Sequence, residues 1–121
     1  MNIPNNLEEC FKILKNDNCN KELCEFAATK EDLAVSLIHF TTGMQIRNNW
    51  KFWKGKNKLV KYFNKLGIYH PDDMSGIIFT SFHRHLNKKD MKLKEQVKYY
   101  QDYWKKQGYK NGKPTINIKR I

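Results

Sequence analysis

Arginine is scarce in this sequence: only Arg47, Arg84 and Arg120 stand among 23 basic residues, so the positive charge is carried almost wholly by lysine. No apolar run approaches the roughly 18 residues that a membrane-crossing helix needs, and no membrane partner is expected. The first residues lack a basic stretch followed by an apolar one, so the chain is read as cytoplasmic. Cysteine is limited to Cys10, Cys19 and Cys24. An odd count fits free thiols in a reducing compartment. Their spacing is not a zinc pattern and no histidine lies near them in sequence, so no metal site is predicted; Cys10 falls among Leu7, Phe11 and Leu14, where core packing explains it. HExxH, Walker and GxSxG motifs are all absent, and Gly43 and Gly55 form no phosphate-cradling loop. No repeat, long linker or alternation of strand and helix patterns appears.

What is present is aromatic and basic. Seven Phe, six Tyr and three Trp accompany a hydrophobic content of 40% over 121 residues, enough for one folded domain. The net charge of +11 is unevenly spread. Residues 1–33 hold seven acids against four lysines, a balance of −3; residues 34–121 hold 19 Lys and Arg against five acids, a balance of +14. Such a surface favours an anionic ligand such as a nucleotide or nucleic acid, or an acidic protein surface. The bland alternative is that these lysines only solvate helices in a chain shaped by AT-rich codon usage.

Apolar spacing predicts an all-α domain of five or six helices over residues 1–108, with a short basic tail at 109–121 that is flexible or a small hairpin turned by Asn111-Gly112 with Ile116 and Ile118 alternating. Leu7, Phe11 and Leu14 mark the first helix, capped by Asn5 or Asn6. A short helix over about 21–28 follows. Thr29 to Asp32 reads as a capping box opening one long helix through Trp50, with Leu33, Leu37, Phe40 and Met44 inward. Asn57 starts the next helix and Gly67 ends it. His70 then caps a helix with Pro71 at its first position; Met74, Ile77, Ile78 and Phe82 face inward and Phe79 lies at the margin. Leu93, Val97, Tyr100 and Trp104 mark the last helix, stopped by Gly108.

Two polar clusters interrupt this apolar pattern. In "HFTTGMQIRNNWKFW", His39, Gly43 and Arg47 recur every four residues, within about 80° of one another on a helix. Arg47 would fork onto a carboxylate or phosphate, Asn48 and Asn49 would supply amides, and Trp50 and Trp53 faces for stacking. In "HPDDMSGIIFTSFHRHLN", Asp73, Thr80, His83 and Arg84 share one broad side, and His70, Asp72 and Ser75 belong to the same stretch. Each has a structural alternative: Asp72 and Asp73 as partners of the helix dipole, Arg47 paired with either of them, Trp50 and Trp53 in the core or at its rim, and His39 as a satisfied core histidine. Adjacent aspartates on a helix diverge by about 100°, so a two-aspartate metal site needs help from elsewhere.

Together these motifs resemble a bacterial family defined only as a domain of unknown function, with an HF-x-x-G-x-x-IRNNW-x-x-W pattern followed by HPDDMS-x-II. The resemblance covers roughly residues 4–105 and leaves out the tail. It implies no activity, cofactor or catalytic residue; it marks the two clusters as a joint signature.

The reading adopted from sequence is a small basic protein that binds a phosphate-bearing ligand through His39, Arg47, Asn48, Asn49, Trp50, Trp53, His70, Asp72, Asp73, Ser75, Thr80, His83 and Arg84. A role as sponge, sensor or accessory in bacterial or phage conflict systems would suit it. The alternatives are a protein–protein module such as an immunity protein or antitoxin, and a small hydrolase or transferase built on His39, Asp72, Asp73 and His83. The cofactor is left undetermined.

Overall fold

In a computed structural model, which describes residues 3–115, seven α-helices and one 3-10 turn follow in order: α1 (Leu7–Asp17), α2 (Asn20–Ala28), α3 (Glu31–His39), α4 (Thr42–Asn49), the turn Phe52–Lys54, α5 (Lys58–Leu66), α6 (Pro71–Leu86) and α7 (Leu93–Lys106). There is no strand among the described residues. The long α6 is the axis. It packs against α1, α2, α3, α4 and α7, and ten of its residues are buried, spread around its whole circumference. Its apolar residues cover a broad face, which places the helix inside the protein; here Met74, Ile77, Ile78, Phe79 and Phe82 meet Leu7, Cys10, Phe11, Leu59 and Phe63 in one core. Phe79 is therefore central, not marginal. Gly76 lets α7 come close, since a β-carbon there would lie 2.5 Å from the Tyr100 hydroxyl.

Local signals set several helix starts. Asn6 and Asn57 accept from the backbone N–H of Glu9 and Val60, and His70 Nδ1 accepts from that of Asp72 at 3.0 Å. Each satisfies a donor that the first turn of a helix leaves free. The tail begins as an ordered segment: Gly112 N–H bonds the Tyr109 carbonyl, Pro114 is buried, and Lys113 lies over the Tyr69 ring at 5.0 Å. The predicted alternation of Ile116 and Ile118 lies outside the described residues.

Three expectations need correction. The helix count is seven, because the predicted long helix breaks at Phe40-Thr41 into α3 and α4; Thr41 sits at φ −112°, ψ −96°, off the helical region. Thr29 does not open α3. Its hydroxyl donates back to the Glu25 carbonyl at the end of α2, and Lys30 precedes α3 without a side-chain cap. The stripe Leu33, Leu37, Phe40 and Met44 faces solvent, with Phe40 74% exposed. The face of α3 turned to α6 is instead Ala34, with Val35 and Ile38 partly buried. A small side chain there lets the two helices approach closely.

Candidate functional site

Arg47 explains the break. Its side chain is nearly buried and reaches across from α4: Nη2 donates to the His39 carbonyl at 3.0 Å, Nη1 to Ser75 Oγ at 2.9 Å, and Nε lies 3.4 Å from Asp72 Oδ1. Nη1 is also 3.4 Å from His39 Nδ1. The His39 carbonyl is one that the end of α3 leaves without an intrahelical partner. Ser75 passes the bond on to the Asp72 carbonyl at 3.0 Å. One guanidinium thus ties the end of α3 to the start of α6. Gly43 makes room for it; a β-carbon there would meet Nη1 at 3.0 Å and the Ile38 carbonyl oxygen at 3.1 Å. Burial pulls the Arg47 pKa below its usual value while Asp72 opposes that change. The sequence expectation that His39, Gly43 and Arg47 share one helical face is replaced by a fold-back across two helices, which still brings the three together.

The other long-range polar groups do similar work. His83, buried, donates from Nε2 to the Thr29 carbonyl at 2.7 Å, and Asn87 donates to the Ala27 carbonyl at 3.1 Å, together closing the end of α2. Buried His83 Nδ1 has no partner among the described residues. Arg84 forks onto Glu31 at 2.7 and 3.1 Å and bonds the Met91 carbonyl at 2.6 Å. That fork holds Glu31 below the usual carboxylate range. Trp50 is only 3% exposed and packs in the core, so it has no face to offer a ligand. Asn49 is exposed and lines none of the clefts below.

Two clefts of opposite character lie near His70. The first, of about 370 Å³, is lined by Arg47, Asn48, Lys51, Trp53 and Lys54. Lys51 turns the chain there in a left-handed conformation, φ 56°. The second, of about 250 Å³, lies between the start of α6 and the middle of α7; Asp72, Asp73 and His70 meet Tyr99, Tyr100, Tyr103 and Trp104. Between the clefts the rings form a row: Trp53 sits edge-on to His70 at 5.5 Å, and His70 stacks on Trp104 at 5.6 Å and 19°. Burial lowers the His70 pKa.

Asp73 is buried and turned away from Arg47. Its Oδ2 accepts from the indole N–H of Trp104 at 2.7 Å. Burial raises its pKa from 3.8 to about 6, against the lowering effect of the Trp104 bond, and neighbouring Asp72 adds to the rise. Tyr100 is pushed up to about 12 by burial, with Asp73 and Tyr99 contributing. Thr80 and Arg84 border an adjoining cleft with Asp32, Glu95 and Gln96, which shares the walls Tyr99 and Tyr100.

The structure thus gathers His39, Arg47, Asp72 and Ser75 into one network, sets Asn48 and Trp53 at the basic cleft, and places His70 and Asp73 at the other. Sequence reasoning missed Lys51 and Lys54, which look like ordinary surface lysines. It also missed the aromatic wall of α7, although Tyr99-Tyr100 and Tyr103-Trp104 recur four residues apart and so share one helical side. Among the described residues no group of three or more His, Cys, Asp or Glu stands close enough to hold a metal ion. No helix in that range is long and apolar enough to cross a membrane.

No curated protein and no solved structure matches the chain. A family model does: the chain belongs to the family described as "Domain of unknown function (DUF6794)", matched over residues 3–86, from before α1 to the last residue of α6.

Proposed function

We propose that this protein binds a phosphate-bearing ligand, a nucleotide or a nucleic-acid end, in the cleft of Arg47, Asn48, Lys51, Trp53 and Lys54. The observation that carries the reading is the make-up of that lining: three cations, one amide and one indole, with no carboxylate. Lys51 and Lys54 are exposed and supply the charge that meets phosphate. Trp53 is half-buried and offers a ring on which a base stacks. Asn48 donates and accepts to a base edge or sugar. Arg47 contributes field more than contact, because its donors are engaged with His39, Ser75 and Asp72.

The test follows the indole N–H signals of the ¹⁵N-labelled protein while ATP, and separately inorganic pyrophosphate, is added. Saturable movement of the Trp53 signal is expected, weakening as salt rises and lost when Lys51 and Lys54 are both changed to Glu. A flat Trp53 signal with both ligands at low salt would exclude this reading. Arg47→Ala is the wrong variant for this test, since it removes a structural clamp.

The stripe Leu33, Leu37, Phe40 and Met44 favours a second reading, a protein–protein module. Large exposed apolar side chains close together on a surface mark contact sites. A photo-crosslinking residue at position 40 that captures one defined partner in cells, where the same residue at position 51 captures none, would favour it over the cleft.

A further inference from the structure

We propose that the cleft between the start of α6 and the middle of α7 binds an organic cation carrying N–H donors, a guanidinium or alkylammonium head. In a protein of net charge +11, this cleft has two aspartates and no lysine or arginine in its lining. Its walls are aromatic: Tyr99, Tyr100, Tyr103 and Trp104 stand along one side of α7. The faces of such rings carry partial negative charge and attract cations, and several rings around one space form the kind of cage that selects ammonium groups. Tyr99 and Tyr103 are 68% and 47% exposed, so their faces are open to an incoming ligand.

The carboxylates complete the site. Asp73 gives one oxygen to Trp104, and no donor among the described residues reaches the other. Asp72 is half-exposed and shares one oxygen with Arg47 at 3.4 Å, a loose contact. A buried aspartate with a spare acceptor, backed by a second acid and faced by aromatic rings, is poorly matched to an anion and well matched to a cation. The adjoining cleft continues the pattern, adding Asp32 and Glu95, while its Arg84 is neutralised by Glu31. The same cationic head could arrive on a free small molecule or on the side chain of a basic peptide; the adjoining acids favour whichever ligand is long enough to reach them. This site is independent of the phosphate cleft, and either can fail without the other.

The experiment titrates ethylguanidinium, ethylammonium and a short arginine peptide into the labelled protein. The readout is the Trp104 indole N–H, which donates to Asp73 Oδ2. Urea and tert-butanol serve as neutral counterparts. Saturable movement of the Trp104 signal is expected with the cations and none with the neutral compounds. Loss of one ring face should weaken binding about two- to thirty-fold in Tyr103→Ala. That residue is exposed, so the fold should be kept. Asp73→Asn should weaken binding at least as much. A peptide bound much more tightly than ethylguanidinium identifies a side chain as the natural source, and equal binding identifies a free small cation; both outcomes support the site. Absence of saturation with every cation, or affinity indifferent to both variants, would overturn it.

Discussion

Asp73→Asn is the substitution whose outcome the structure constrains most tightly. A carboxyl whose pKa rises from 3.8 in the unfolded chain to about 6 in the folded one ionises less readily after folding than before it. The shift is worth about 3 kcal/mol between the two protonation states. The sign follows from linkage: a raised folded pKa gives stability that is fully present below pH 3.8 and is lost as pH rises through about 6. At pH 7.5 the ionised Asp73 therefore works against folding. Asparagine keeps the shape and an oxygen for the Trp104 N–H, and its amide protons can reach water in the open cleft. It gives up about 0.3–1 kcal/mol of favourable interaction with the start of α6. A net gain of about 2 kcal/mol at pH 7.5 is expected, shrinking toward zero at pH 4. For a domain of this size that gain corresponds to a Tm increase on the order of 5–10 °C. Urea unfolding of both proteins across pH 4–8 measures it. A variant equally destabilised at both ends of that range would refute the reasoning, because it would show the carboxylate to be well satisfied where it is. A residue that weakens the fold at neutral pH yet lines an open cleft is a candidate for a binding role.

Other consequences are as direct. Arg47→Met leaves the His39 carbonyl and Ser75 without their donor, and should cost about 2–4 kcal/mol in urea unfolding. Arg47→Lys should recover only part of this, since an ammonium cannot reproduce the fork. Phe40→Lys, at a position the sequence pattern assigns to the core, should change stability by less than about 0.5 kcal/mol; a loss of several would put that side chain back inside. Of the three cysteines, Cys19 and Cys24 are exposed and Cys10 is buried with its thiol pKa pushed up by burial. A thiol reagent should therefore label two positions quickly and the third only on unfolding, with mass spectrometry locating them.

Helices whose ends are set by neighbouring residues were legible. Asn6, Asn57 and the His70-Pro71 pair carry their information within one turn, and the structure keeps all three starts. The division of α3 from α4 was not, because the group that stabilises it, Arg47, acts from the next helix through Ser75 and Asp72 of α6. Periodicity also chose the wrong face of α3. Leu33 and Leu37 form as regular a stripe as Ala34 and Ile38, and spacing alone cannot say which of two apolar faces meets the core. Both polar clusters were visible as clusters. Their division was not: Arg47 and His83 close helix ends, while His70, Asp73 and Trp53 border open clefts. Trp104, read only as an inward apolar residue, also holds Asp73.

The place of α6 in the chain bears on how the protein is made. Five helices precede it, and four of these pack on it or through it. Synthesis proceeds from the N-terminus at about 5–20 residues per second, so those helices emerge several seconds before the surface they share. Short isolated helices are marginal in water, and α1 to α5 run to at most 11 residues. The nascent chain therefore makes late the helix that the earlier ones need, and a product truncated before Pro71 would hold α1 to α5 with nothing to fold onto.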